Sequence, residues 1–244
     1  LTAALIEPSY QFNPHDLNTT ASFNNGTYTL NGKKLYVPLA DRADTILVYA
    51  KDLETRSTQA FLVKRDNPGI SVGEREKLMG LKALPTYPLT LSNCTLDAES
   101  RVGDSHNGLQ ISVLLARSNV ALAALSVGVG RAALEYSTDY AKDREAFGEP
   151  IASRQSIAFM LAEMAIEIDA TRLMVWEAAW RMDEGKDAVE EATLARVYGD
   201  EMVLKVTDCA VQVLGGHGYI RDHPVELWLR NARGFTTFDG LAVV

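Results

Sequence analysis

Apolar and polar positions change their period near residue 105 of this 244-residue chain. Before it they alternate over short runs, the two-residue period of strands with one buried face. Thr27 to Val37 reads as a hairpin, with Asn31-Gly32 at the turn between two alternating strands. Asp44–Asp52, Thr58–Asp66 and Pro88–Asp97 are further strand-like runs bounded by turn residues. Short strands at such spacing predict a sandwich or small barrel.

Beyond residue 105 the period is helical. The run from Leu114 to Phe147 is alanine-rich and almost unbroken until Gly148-Glu149-Pro150 stops it. Ile157, Met160, Leu161, Met164, Ile168 and Val175 then fall on one helical stripe that ends at Gly185. Asp187, with Glu190 three residues on, predicts the start of a third helix, which stops at Gly215-Gly216. A shorter fourth helix is expected over 224–232. The expected fold class is therefore α+β: a β-barrel or sandwich domain over residues 1–105, then an antiparallel four-helix bundle over residues 106–244. Trp176, Trp180 and Trp228 lie on the helices and are expected to be packing residues rather than a stacking platform.

Composition narrows the function. An apolar share of 47% and a charged share of 23% are those of an ordinary globular protein. The net charge of −8 argues against a nucleic-acid surface. No run reads as a membrane span. Cys94 and Cys209 are far apart, and His217 and His223 lack ligand spacing, so no metal site or disulfide framework is expected. No secretory signal is visible, which fits a cytoplasmic location, or a mitochondrial matrix in a eukaryote. The chain enters on a β-type segment at Leu1 without a methionine, so a natural N-terminus is expected upstream.

The candidate chemistry gathers in the last segment, from Ala210 to Gly240. Its tip, Phe238-Asp239-Gly240, puts one carboxylate on backbone made permissive by glycine. A loop acid can serve as a general base. Taken alone, an Asp-Gly pair is an ordinary solvated turn.

The wider pattern changes that reading. The run Asp143 to Ala165, DREAFGEPIASRQSIAFMLAEMA, followed by Gln212 to Tyr219, QVLGGHGY, resembles the acyl-CoA dehydrogenase family of flavoenzymes. The resemblance is strongest from Val127 to Gly240 and colinear but weaker through residues 1–105. It implies the family's middle β domain and C-terminal helical domain, without the N-terminal helical domain. It also implies FAD as cofactor, an acyl-CoA substrate of fatty-acid β-oxidation, an electron-transfer flavoprotein or similar acceptor, and a homo-oligomer, dimer or tetramer. Arg144 matches an arginine that contacts FAD across a subunit interface, which suits a guanidinium meeting pyrophosphate oxygens. Phe147 matches an aromatic near the adenylate half, and Gln155 a glutamine further on. Gln212 and Gly216 match the loop that reaches the partner subunit's cofactor, where glycine permits close backbone approach.

By the same resemblance Asp239 is the base that takes the α-proton of the thioester while the β-hydride leaves to the flavin, and Gly240 lies beside it at the substrate. Most members carry glutamate there, so the aspartate is one methylene short. Some members place the base early in the first long helix, but the matching Ser118-Asn119 offers no acid. The β domain departs further. Ile6-Glu7-Pro8 stands at a Thr-Glu-Pro segment that contacts the flavin, and Phe12 replaces a serine that contacts substrate. Tyr36-Val37-Pro38 replaces a Trp-Ile-Thr that flanks the flavin ring; Tyr36 can still stack, whereas Pro38 lacks the hydroxyl and the N–H. Two alternatives follow: a weakly catalytic or inactive subunit that assembles with an active partner, or a flavin enzyme of this fold acting on a non-CoA substrate, such as a nitroalkane or an aromatic for hydroxylation.

Overall fold

A computed structural model describes residues 1–103 and 109–235. Among these, the chain divides into two compact units, one of residues 1–78 and 82–115, the other of residues 79–81 and 116–235.

The first unit is a mixed sheet of eight strands: β1 (Thr2–Ala4), β2 (Thr20–Asn24), β3 (Thr27–Pro38), β4 (Thr45–Asp52), β5 (Thr58–Lys64), β6 (Ile70–Val72), β7 (Thr86–Asp97) and β8 (Arg101–Val102). The strand order is β6-β7-β3-β2-β4-β5-β8, with β1 also paired to β4. The β1–β4 and β2–β4 pairs are parallel. β4 explains its own near-continuous apolar run. Ile46, Val48 and Ala50 face one core cluster with Leu30, Phe61 and Leu89, while Leu47 and Tyr49 face a second with Leu5, Leu17 and Ala60. A strand covered on both faces loses its alternation.

The hairpin turn is not at Asn31-Gly32. It is the preceding Asn-Gly pair, Asn25-Gly26, whose φ angles of 50° and 81° make the primed turn that joins β2 to β3. β3 runs straight through Asn31-Gly32, where its register with β7 shifts. Glycine is required there because a Cβ would fall 2.7 Å from Thr19 Cα. Asn31 Oδ1 accepts the Asn93 N–H at 2.7 Å, a cross-strand tie rather than a turn contact.

The second unit is helical: α1 (Ile111–Asp143), α2 (Gln155–Asp183), α3 (Val189–Leu214), the single turn α4 (Gly216–Tyr219) and α5 (Val225–Phe235). A two-stranded hairpin, β9 (Glu145–Ala146) and β10 (Glu149–Pro150), joins α1 to α2. The α2 stripe buries Met164, Ile168 and Val175 as its spacing predicts, against Met202, Val206 and Ala210 of α3 and others. Asp187 Oδ1 accepts the Val189 N–H at 3.1 Å at the entry to α3. Small residues let α1 in close: a Cβ on Gly199 would touch Ala123 Cα at 3.4 Å, and one on Gly130 would meet Met202 Sδ at 3.1 Å. By length and composition alone α1 is apolar enough to cross a membrane, with a mean hydropathy of 1.6 over 18 residues, more than the sequence pattern suggested. Ala123 and Ala133 are fully buried in the bundle, while 28% of that window is buried in all.

Two tryptophans depart from expectation. Trp228 packs on the bundle core, but Trp176 and Trp180 are 61% and 52% exposed. They share the outer side of α2 with Phe159, Ile166 and Leu173, all exposed. Phe159, Ile166, Leu173 and Trp180 recur every seven residues, so they form one apolar seam.

α5 is tied down at its middle and at its C-terminal end. Leu81 N–H donates to Asn231 Oδ1 at 2.7 Å, and Arg230 donates to the Met79 carbonyl at 3.1 Å. The buried Arg196 of α3 pairs with Asp200 and donates to the Phe235 carbonyl at 2.7 Å. That carbonyl lies in the last turn of α5, where intrahelical donors have run out.

Candidate functional site

Arg144 follows the last residue of α1 and is exposed. Among the described residues no carboxylate closes an ion pair with it. Its carbonyl accepts the Ile151 N–H at 2.8 Å, which closes the base of the β9–β10 hairpin. The two-residue turn is Phe147-Gly148, with φ angles of 60° and 83°. Glycine adopts that conformation freely, but a phenylalanine there is strained by about 1–2 kcal/mol. The ring gains nothing from burial, since Phe147 is 96% exposed. Arg154 lies 5.6 Å from the ring centre and pairs with Glu149 at 2.9 Å. Gln155, exposed, opens α2 in the same segment. Strain that holds an aromatic ring in solvent points to a contact outside this chain.

The Gly-Gly loop closes α3. Gly215 donates to the Gln212 carbonyl at 3.1 Å and has φ 57° and ψ −129°, accessible only to glycine. Gly216 shares the open surroundings of Gly215 but not its positive φ. A Cβ there would meet nothing within 4 Å, so its backbone faces open space. Gly218 is different again, because a Cβ would strike the Val211 backbone, with Val211 Cα at 2.9 Å. One glycine bends the chain, one leaves it open and one lets it pack.

His217 and His223, expected to be surface or structural, are both engaged. Tyr140 Oη lies 2.8 Å from His217 Nδ1, and Tyr136 Oη lies 2.7 Å from His223 Nδ1. The two imidazoles stack with centres 5.3 Å apart and planes 15° from parallel. Tyr140 meets both edge-on, at 5.9 and 5.8 Å, and Tyr136 meets Trp228 edge-on at 5.9 Å. The two tyrosines and two histidines, with Asp139, Asp143 and Arg144, line an open cleft of about 500 Å³. Arg144 and His217, the residue that follows the Gly-Gly pair, therefore open onto one place. The available signal was Tyr136 and Tyr140 at i and i+4, one face of α1, with Arg144 four residues further on.

These features fit a dinucleotide. An exposed guanidinium suits a pyrophosphate, an exposed ring suits a base or ribose face, and open glycine backbone admits close approach. Gln212 is exposed on the last turn of α3 beside the loop.

In the sheet unit, Tyr36 is half-buried at φ 53° in a second register shift of β3, and its N–H donates to Glu76 Oε1 at 3.4 Å. A bulge at that position re-aims a side chain. The Pro38 carbonyl accepts from Thr2 Oγ1 at 2.5 Å, and the Ile6 carbonyl accepts the Leu35 N–H at 2.9 Å. Phe12 packs on the Leu5–Leu17–Tyr49 cluster, which gives the ring a place in a core. The feature missing from the sequence reading is the pair beneath them. Lys34 donates to Glu7 Oε1 at 2.8 Å and to the Leu5 carbonyl at 3.1 Å, while Glu7 accepts the Asn18 and Thr19 N–H groups at 2.6 and 2.8 Å. Burial acts to raise the Glu7 carboxyl, but the Lys34 charge and the hydrogen bonds from Lys34, Thr19 and Asn18 outweigh it and hold it below the ordinary value. Burial pulls the Lys34 ammonium down to about 8 against the attraction of Glu7. Asp239 and Gly240 lie outside the described residues.

Comparison with known proteins agrees along nearly the whole chain. The acyl-CoA dehydrogenase middle-domain profile matches residues 2–94, and the C-terminal-domain profile matches residues 109–242. The caffeyl-CoA reductase–Etf complex subunit CarC of Acetobacterium woodii is 36% identical over 100% of this chain and 65% of its own length. An acyl-CoA dehydrogenase of Bacillus subtilis is 35% identical over 97% of this chain and 64% of its own. The chain thus spans slightly less than two thirds of these relatives. The structure of butyryl-CoA dehydrogenase from Megasphaera elsdenii superposes with a TM-score of 0.89 at 31% identity, covering 98% of this chain and 64% of that one. With both profiles matched in order and the same fold at this identity, the chain belongs to the acyl-CoA dehydrogenase family.

Proposed function

We propose that the protein is an FAD-dependent acyl-CoA dehydrogenase that converts a thioester to its 2-enoyl form, with Asp239 as the base. The observation that supports this most is the cleft lined by both Arg144 and His217, the residue that follows Gly215-Gly216, with strained Phe147 exposed close by in sequence. Arg144, Phe147, Gln155, Gln212 and Gly216 would hold the dinucleotide part of FAD. Ile6, Tyr36 and Pro38 would lie at its flavin, and Phe12 and Gly240 at the substrate. Bound FAD supplies the acceptor for the hydride that leaves the acyl β-carbon. Asp239 takes the α-proton onto a carboxylate oxygen. An aspartate reaches one methylene less than a glutamate, and a base misplaced by about 1 Å loses on the order of 100-fold in rate. The acyl group is therefore one that brings its α-carbon close to the loop.

The exposed seam Phe159–Ile166–Leu173–Trp180 supports a homo-oligomer, since an apolar stripe of this length is stable in water only when covered. The name of the Acetobacterium relative, a subunit of an Etf complex, supports an electron-transfer flavoprotein as redox partner. A cytoplasmic or matrix location accords with the free Cys94 and Cys209.

The test is anaerobic addition of acyl-CoA thioesters, straight, branched and cyclic, to the flavin-loaded full-length protein. Flavin absorbance bleaches with the matching thioester, and Asp239→Ala slows that bleaching by about 10³-fold. Two relatives are named as reductases, of caffeyl-CoA and of 3-(aryl)acrylate, so a second arm follows reoxidation of the reduced flavin by enoyl and arylacrylyl thioesters. A protein that binds flavin yet responds in neither arm is the non-catalytic or non-CoA member of the family instead.

A further inference from the structure

The Gly-Gly loop and Arg144 come from segments about seventy residues apart, yet a dinucleotide must meet both at once. Gly215 is bent into a glycine-only conformation and Gly216 faces open space, so neither glycine has a side chain to anchor the loop. His217 is the next residue and does have one. Its Nδ1 is hydrogen-bonded to Tyr140 Oη at 2.8 Å, and Tyr140 sits one helical turn before Arg144 on α1. A second bond of the same kind, Tyr136 to His223 at 2.7 Å, lies one turn further back, and the two imidazoles stack on each other. Two rungs of a ladder thus connect the last two turns of α1 to the segment that follows α3.

We propose that Tyr140 and His217 are positioning residues for the cofactor. Their hydrogen bond, backed by the Tyr136–His223 pair, holds the Gly215–Gly216 backbone at a fixed distance from the Arg144 guanidinium so that both address one dinucleotide. This rests on the reading of Arg144 and Gly216 as FAD contacts. Neither positioning residue touches the phosphates in this arrangement. Asp139 and Asp143 line the same cleft and repel a pyrophosphate, so Arg144 is the lining cation that has to offset them. A neutral imidazole with its proton on Nε2 accepts the tyrosine hydroxyl at Nδ1. An asparagine at 217 offers an amide oxygen in a similar place, whereas a leucine offers shape without an acceptor.

The test is FAD affinity of the deflavinated full-length protein, measured by quenching of flavin fluorescence, beside the thermal midpoint of each variant. Tyr140→Phe and His217→Leu each weaken FAD binding by about 5- to 10-fold, the size of one hydrogen bond. The double variant is no weaker than either single, because both remove the same bond. His217→Asn stays within about threefold of the parent, which a purely steric role of the ring does not allow. Arg144→Ala is the control for the underlying reading. If Arg144→Ala leaves FAD affinity unchanged, the assignment of the site fails. If Arg144→Ala weakens FAD but Tyr140→Phe and His217→Leu do not, with midpoints unchanged, the positioning role alone is overturned. A lowered midpoint in His217→Leu leaves Tyr140→Phe, which removes one oxygen atom from the cluster, to decide.

Discussion

Lys34 Nζ donates to Glu7 Oε1 at 2.8 Å, and neither side chain reaches solvent. Glu7 also holds the Asn18 and Thr19 amides, so one carboxylate pins both ends of the loop between them, and Lys34 sits two residues before the Tyr36 bulge. Removing one member of such a pair leaves the other charge buried. Glu7→Leu or Lys34→Met alone lowers stability by about 3–5 kcal/mol. Glu7→Leu with Lys34→Met costs far less than the sum of the singles, because no bare charge remains. Denaturant titration of the four proteins measures the cycle, and strictly additive costs would show that the pair is not coupled.

The same pair predicts the direction of acid sensitivity. The folded Glu7 carboxyl is held below its ordinary value of 4.5, and the unfolded chain titrates near that value. Between the two, the unfolded state binds more protons, so stability falls as pH falls. The contribution of Glu7 is fully present above about pH 5 and disappears as pH drops through the folded value. Unfolding midpoints followed from neutral to acid pH fall less steeply in the Glu7→Leu, Lys34→Met double variant than in the parent.

Local pattern was enough to place much of this molecule. β4, β5 and β7 begin within two residues of where alternation put them, and the α2 stripe buries the side chains its spacing selects. What failed did so for physical reasons. Asn-Gly stands at both 25–26 and 31–32, and local chemistry cannot tell a turn from a bulge; the packing of Thr19 against Gly32 decides it. Trp176 and Trp180 look like core by type, but an apolar seam is equally an unpartnered one, and one chain holds no sign of which. The Lys34–Glu7 pair was invisible because the partners lie 27 residues apart and meet only across the sheet. His217 and His223 are structural, as expected, but their tyrosine partners on α1 lie 77 and 87 residues away and could not be read locally.

The glycines of one loop separate stability from binding. Gly218→Ala drives a methyl into the Val211 backbone and costs about 1–3 kcal/mol of stability. Gly216→Ala meets nothing within 4 Å in the chain and leaves stability within about 0.5 kcal/mol of the parent. Its methyl occupies the open face, so FAD affinity falls by about tenfold. Thermal midpoint and flavin titration on the two variants give opposite patterns; loss of stability in both, or of binding in neither, contradicts the division.

Arg196 ties the end of α5 to α3. It donates to the Phe235 carbonyl at 2.7 Å and pairs with Asp200 one turn along its own helix. Arg196→Met removes the charge partner of Asp200 and the donor to Phe235, at a cost of about 3 kcal/mol. Arg196→Lys keeps the charge but has no planar fork to serve both partners, and costs about 1 kcal/mol. Hydrogen exchange locates the effect. The amides of the last turn of α5 lose protection in both variants, while those of α2 lose it only with the global stability.

Phe147 carries the sharpest opposition between folding and binding. Its φ of 60° belongs to glycine, and its ring is 96% exposed, so within this chain the side chain adds strain and no burial. Phe147→Gly releases that strain and raises stability by about 0.5–1 kcal/mol, the left-handed cost less the entropy that glycine adds to the unfolded chain. The same change removes the ring proposed to lie against the cofactor, and FAD affinity falls by about tenfold, the size expected for one aromatic contact. Phe147→Ala keeps the left-handed strain and lacks the ring. It matches the glycine variant in flavin binding and the parent in stability. Thermal unfolding of the deflavinated protein and flavin titration resolve the three proteins. A ring needed for folding would reverse the stability order, and a ring idle in binding would leave all three with equal affinity.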